Sequence, residues 1–119
     1  MKNFRDLKVW EKSHKLTLEV YTITTNFPKE ELYGLTNQLR RASSSVPINI
    51  SEGCGRSTDK DLARFLQISM GSASETEYLL LLSNQLGYLN ENDYLKSTRN
   101  IQEVKKMLAK FIKKLRAEC

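Results

Sequence analysis

Residues 32–53 read LYGLTNQLRRASSSVPINISEG, and this stretch decides the fold. Leu32, Leu35, Leu39, Ala42, Val46, Asn49 and Gly53 recur in alternating steps of three and four, which lines them up along one side of an α-helix. Helix-on-helix packing requires such a seam. Pro47 lies inside it and has no amide hydrogen, so the carbonyl of Ser43 loses its intrahelical donor and a kink is expected. The neighbouring Ser43, Ser44 and Ser45 are the expected local donors to that carbonyl. A helix break after Val46 is the alternative.

Working outward, Phe27-Pro28 ends a preceding helix, because the residue before a proline is pushed out of the α region. That first helix is expected from Asp6 to about Asn26. It carries two stripes: Leu7, Trp10, Leu18 and Tyr21, with His14 among them, and Val9, Leu16, Val20, Ile23 and Phe27 opposite. A helix apolar on two sides has two faces to cover, the second by another helix or another subunit. Pro28 suits the first turn of the second helix, with Glu30 and Glu31 at its positive end. On the other side of the quoted stretch, Gly53-Cys54-Gly55-Arg56-Ser57-Thr58 reads as a turn, with Ser57 or Thr58 capping the next helix.

The third helix is expected from about Asp59 to Gln85, on a seam of Leu62, Phe65, Ser69, Ser72, Thr76, Leu79, Ser83 and Leu86. Its small centre lets a partner helix come close or admits a ring, for which Trp10 and Tyr21 are the candidates. Gly87-Tyr88-Leu89-Asn90 closes it, and Asn90 with Asp93 reads as a cap. The last helix continues toward the C-terminus on Ile101, Val104, Leu108, Phe111 and Leu115. No alternating strand pattern competes. The expectation is all-α: residues 1–119 as one antiparallel, up-down-up-down four-helix bundle.

Composition sets the class. The chain has 119 residues, of which 39% are hydrophobic and 28% charged, a globular balance sufficient for one core. Residues 1–6 lead into no apolar run, so no secretory signal is read there. No stretch approaches the roughly 20 apolar residues that span a membrane. Cys54 and Cys119 lie far apart, with no paired spacing, and a reduced, cytoplasmic setting is expected. The net charge is +5, unevenly spread: residues 91–119 hold eight Lys or Arg against four Asp or Glu, whereas residues 56–90 are acidic by one. A basic terminal helix attracts polyanions by releasing counterions. The plainer reading, a solvated helix face, fits the same residues.

Catalytic constellations are missing their parts. Glu11 and His14 make one E-x-x-H step, but His14 is the single histidine and a di-metal bundle needs a second such step. Neither a metal nor another cofactor is expected. The serines have no nucleophile elbow, and Gly53-x-Gly55 falls short of a dinucleotide or P-loop fingerprint. A phosphate nest at this turn, with Arg56 alongside, is the sharper alternative to an ordinary helix–helix turn. Polar residues inside apolar stretches (Gln38, Arg41, Asn49, Glu52, Glu75 and Glu77) read as a structural network that fixes helix register or subunit geometry, with Arg40 and Arg56 as further partners for its carboxylates.

With those residues in view, the chain resembles the four-helix-bundle proteins encoded in intervening sequences of bacterial 23S ribosomal RNA genes. The resemblance runs from Phe4 to about Tyr88 and less distinctly to the end. It is carried by Asp6-Leu7-Lys8-Val9-Trp10, Phe27-Pro28-Lys29-Glu30-Glu31 with Leu35, Gln38-Leu39-Arg40-Arg41-Ala42, Asn49 to Arg56, Phe65-Leu66 and Gly71-Ser72. Ser13, where such proteins often carry alanine, is a minor departure. The resemblance implies a homo-oligomer, a pentameric ring, and no catalytic residues. More distant relatives of similar shape serve reverse transcriptases as basic scaffolds, so such a protein partner is expected only by analogy of fold.

The functional expectation is therefore a non-catalytic, oligomeric scaffold that meets RNA or DNA through Lys105, Lys106, Lys110, Lys113, Lys114 and Arg116, with Arg40, Arg41 and Arg56 as a second tier. A module that binds only protein is the alternative. An enzyme sharing Glu52, Glu75 or Glu77 across subunits is a distant third.

Overall fold

A computed structural model describes residues 2–117 of the chain; Cys119, one of the two cysteines, lies outside them. Four helices make up the fold: α1 (Lys8–Ile23), α2 (Leu35–Cys54), α3 (Asp59–Gln85) and α4 (Glu91–Ala117). Each packs on its chain neighbours, and α1 also packs on α4, which closes the bundle. Cross-helix contacts fix the directions. Lys12 pairs with Glu103 and Glu19 with Lys96, so α1 and α4 are antiparallel. Thr17 meets Ser43 while Tyr21 and Thr24 meet Arg40, which sets α1 against α2 the same way. Ser69 bonds Val46 and Ser72 bonds Ser45, which reverses α3 on α2. The result is a rod of 46 × 23 × 20 Å.

The seams form the core. Leu39, Ile50, Leu66, Leu80, Ile101 and Leu108 are fully buried, and each contributes about 1.5–3 kcal/mol of transfer free energy. Leu32, expected on the α2 seam, instead lies outside the helix and is exposed. Pro28 opens a short 3-10 turn (Lys29–Glu31) rather than α2 itself. Glu31 nevertheless serves the positive end of α2, since its carboxylate accepts from the Leu35 amide at 3.2 Å. The first helix is shorter than its pattern suggests. Phe4–Asp6 and Thr24–Asn26 form 3-10 turns, and the Thr24 hydroxyl donates back to the Val20 carbonyl at 2.7 Å.

Helix α2 runs unbroken through Pro47. The carbonyl that the proline leaves without a donor is served from another helix: Thr17 Oγ1 of α1 donates to the Ser43 oxygen at 3.0 Å, and not the local serines as expected. The small centre of α3 faces α2. Ser69 Oγ donates to the Val46 carbonyl at 2.9 Å, and no ring inserts there. Trp10 instead stacks on His14, with centroids 4.9 Å apart, and packs against Phe4. Tyr21 lies under Arg40 on the surface. The second stripe of α1 is thus only half covered, with Leu18 and Tyr21 exposed.

The expected caps are present. Thr58 accepts from the Asp61 amide at 3.1 Å, and Asn90 and Asp93 bond reciprocally at 2.8 and 3.0 Å. Gly87, at φ +81°, turns the chain out of α3 in the left-handed region that other residues resist. At the opposite end Gly53 allows close approach, because a Cβ there would stand 2.9 Å from Leu62 Cδ1 and from Phe65 Cβ. Among the described residues no helix is long and apolar enough to cross a membrane.

Candidate nucleic-acid interface

The seam of α4 buries Ser97, Ile101, Val104, Leu108, Ile112 and Leu115. Their spacing forces Lys106, Lys110 and Lys113 to the outside, where all three are exposed. Lys114 and Arg116 are exposed in the last turn of the same helix. Cations there also complement the negative helix end.

Lys105 belongs to a different place. Half-buried, it donates to Glu77 Oε1 of α3 at 3.0 Å, while Gln102 donates to Glu77 Oε2 at 3.0 Å. The Gln102 hydrogen bond, followed by that of Lys105, holds the Glu77 carboxyl below its usual range. Lys105 is therefore a strut between α3 and α4 rather than part of the open cationic face.

The arginines separate in the same way. Arg40 Nε donates to Thr24 Oγ1 at 2.8 Å and its Nη2 to the Tyr21 carbonyl at 3.3 Å, with the guanidinium 4.8 Å from the Tyr21 ring centre. It is a pin between α1 and α2. Arg41, one residue on, is exposed and lines a groove of about 820 Å³ between α2 and α3, together with Gln38, Glu75, Tyr33 and Ile48. Arg56 leaves the turn after α2 and lays its guanidinium 4.7 Å from the Phe65 ring centre.

The polar residues expected to form one network divide: Gln38, Arg41 and Glu75 line a groove that Ser45 and Ser72, the partners of Asn49, also line, whereas Glu77 and Glu52 do not line it. In that α2–α3 groove Arg41 and Glu75 are exposed rather than buried. Asn49 donates to the Ser45 carbonyl at 2.8 Å and to Ser45 Oγ at 3.0 Å, and Ser72 Oγ lies 2.9 Å from that same hydroxyl. Glu77 holds Lys105 and Gln102, and Glu52 is exposed near the end of α2.

The fold brings in two further cations. Lys60 and Arg64, both exposed on α3, line a groove with Arg116 of α4, because the antiparallel pairing sets the start of α3 beside the end of α4. Their one-turn spacing is a usable signal in the sequence, masked by the interleaved Asp59 and Asp61. Among the described residues no group of three or more His, Cys, Asp or Glu is placed to hold a metal ion. Cys54 is buried, and that burial pushes its thiol up, away from the reactive thiolate.

The crystal structure of a protein with unknown function from the S23 ribosomal protein family of Bacteroides thetaiotaomicron superposes on the bundle with a TM-score of 0.81. It is 25% identical in sequence, and the match covers 88% of this chain and 95% of that one. No curated protein matches the sequence. The model of the 23S rRNA-intervening sequence protein family matches residues 5–110, nearly the whole bundle. The four-helix fold and that match agree, and the chain belongs to the 23S rRNA-intervening sequence protein family.

Proposed function

We propose that the protein is a non-catalytic helical scaffold that binds RNA or DNA electrostatically through the outer face of α4. One observation carries this reading. Lys106, Lys110 and Lys113 form an exposed row along about 10 Å of helix axis, and no ion pair among the described residues engages them. Lys114 and Arg116 extend the row. No exposed aromatic side chain is interleaved with it, so base stacking has no platform and the attraction is to the phosphate backbone. The test is binding of labelled structured RNA and duplex DNA across a salt series. Changing Lys106, Lys110 and Lys113 to Glu should remove three phosphate contacts and flatten the logarithmic salt slope by about 2 to 3. An affinity indifferent to salt, or to the triple change, refutes the reading.

A second observation favours self-assembly as the setting. The α2–α3 groove presents Arg41 and Glu75, of opposite charge, beside Tyr33, which is 92% exposed, and Ile48, which is 50% exposed. Apolar anchors around a polar, charge-complementary centre suit a protein interface. A homo-oligomer, arranged as a pentameric ring, would bury them and repeat the α4 face for avidity. Ile48→Glu should reduce the mass in solution while leaving the helical content unchanged. If the groove takes a different protein instead, such as a reverse transcriptase, the mass will not change.

A further inference from the structure

Arg56 and Arg64 converge on one side chain. The Arg56 guanidinium carbon lies 4.7 Å from the Phe65 ring centre and that of Arg64 lies 4.6 Å from it. Phe65 itself is buried, and Gly53 makes its seat possible: a Cβ at Gly53 would stand 2.9 Å from Phe65 Cβ. Stacking on a ring orients a guanidinium while leaving its in-plane N–H donors available. Two like charges held beside one ring repel unless an anion joins them. Asp61 offsets part of this repulsion, with a carboxylate oxygen 3.6 Å from Arg64 Nε. Lys60 and Arg116 line the adjoining groove with Arg64, and Asp59 is the other acid in the first turn of α3. Among the described residues these four cations stand against the carboxylates of Asp59 and Asp61, a local surplus near two charges.

We propose that Arg56 and Arg64, oriented by Phe65 and flanked by Lys60 and Arg116, form a site for a phosphomonoester, the 5′-phosphate end of a nucleic-acid strand. A monoester carries about −1.5 to −2 charges at neutral pH, against −1 for an internal diester, so it matches the surplus better. Its three terminal oxygens accept the paired N–H donors that arginine presents and lysine lacks. The inference rests on the nucleic-acid reading above and adds an end preference to it. The lysine row of α4 supplies affinity along the strand, and the arginine pair chooses its terminus.

The experiment compares a short single-stranded RNA carrying a 5′-phosphate with its 5′-hydroxyl twin, by fluorescence anisotropy with the label at the 3′ end. The native protein should prefer the phosphorylated strand by about tenfold. Arg56→Lys with Arg64→Lys keeps the charge and removes the fork, so the preference should vanish. The Lys106, Lys110 and Lys113 to Glu variant should weaken both strands and keep their ratio. Equal affinity of the native protein for both strands, or a preference that survives the double lysine change, overturns the proposal. If neither strand binds, the nucleic-acid reading fails, and with it the strand end as ligand. The phosphate site is then tested alone by titrating inorganic pyrophosphate against the Arg56 and Arg64 Nε–H resonances. A saturable shift retains that part, and no shift removes it. Matched circular dichroism spectra of the variants guard against a folding defect.

Discussion

Thr17→Val isolates one hydroxyl in the core. Thr17 is buried, and its Oγ1 donates to the Ser43 carbonyl at 3.0 Å, where Pro47 leaves that oxygen without its helical donor. The same hydroxyl also reaches the Ser13 carbonyl at 3.0 Å, which has its own place in the ladder of α1. Valine preserves the shape and removes the proton, so a buried acceptor is orphaned at a cost of about 1–2 kcal/mol. For a chain of this length the thermal midpoint should fall by about 4–8 °C. The decisive measurement is a double-mutant cycle with Pro47→Ala, which restores the amide of residue 47 and hence the local bond to Ser43. In that background Thr17→Val should cost less than half as much, giving a coupling near 1 kcal/mol. Equal losses in both backgrounds, by urea denaturation, would refute the assignment of Thr17 as the replacement donor.

Gly53→Ala should destabilise by about 1–3 kcal/mol, because its Cβ meets Leu62 and Phe65 at 2.9 Å; an unchanged urea midpoint would show that α2 and α3 can part there at no cost. The Glu77 carboxyl is lowered in the folded state, so its contribution is present above the ordinary carboxylate range and is lost as pH falls through the lowered folded value. Glu77→Gln should therefore differ from the native protein at neutral pH and converge with it in acid, as read from thermal midpoints along a pH series; a constant difference would contradict this. Arg41→Ala removes an exposed side chain and should leave the stability of the folded chain within about 0.5 kcal/mol of native. Light scattering on that sample then reports assembly, and a destabilised monomer would mean that Arg41 supports the subunit itself.

The bundle is legible in the sequence because its seams are long and regular. Leu35, Leu39, Ala42 and Val46 on α2 and Leu62, Phe65, Ser69 and Thr76 on α3 are buried as their spacing demands. Glu75 shows where that logic stops. Its place on a stripe between Ile68 and Leu82 predicts burial, yet Ile68 is itself exposed and Leu82 half-buried, so the apolar flank marks an uncovered face within one subunit. Arg40 and Arg41 are adjacent in sequence but about 100° apart on the helix. One pins α1 and the other opens into a groove, a difference set by α1 packing rather than by local pattern. Lys105 cannot be separated from Lys106 without knowing that Glu77 lies across from it. Thr17 gives no local signal because its partner is 26 residues away.

The antiparallel arrangement also sorts charge along the rod. The end of α4 and the start of α3 bring Lys60, Arg64, Lys113 and Arg116 to one tip, where they outnumber Asp59 and Asp61, whereas Glu30, Glu31, Glu91 and Asp93 outnumber Lys29 and Lys96 toward the other. The rod is 46 Å long and physiological screening acts over about 8 Å, so an approaching polyanion senses each tip separately. It exerts a torque as well as a pull. A polyanion bound as proposed would be met basic tip first, with the acidic tip held away, before any contact is made. Copies assembled side by side with their rods in register would add these dipoles into a crown of positive potential. Copies stacked head to tail would cancel them.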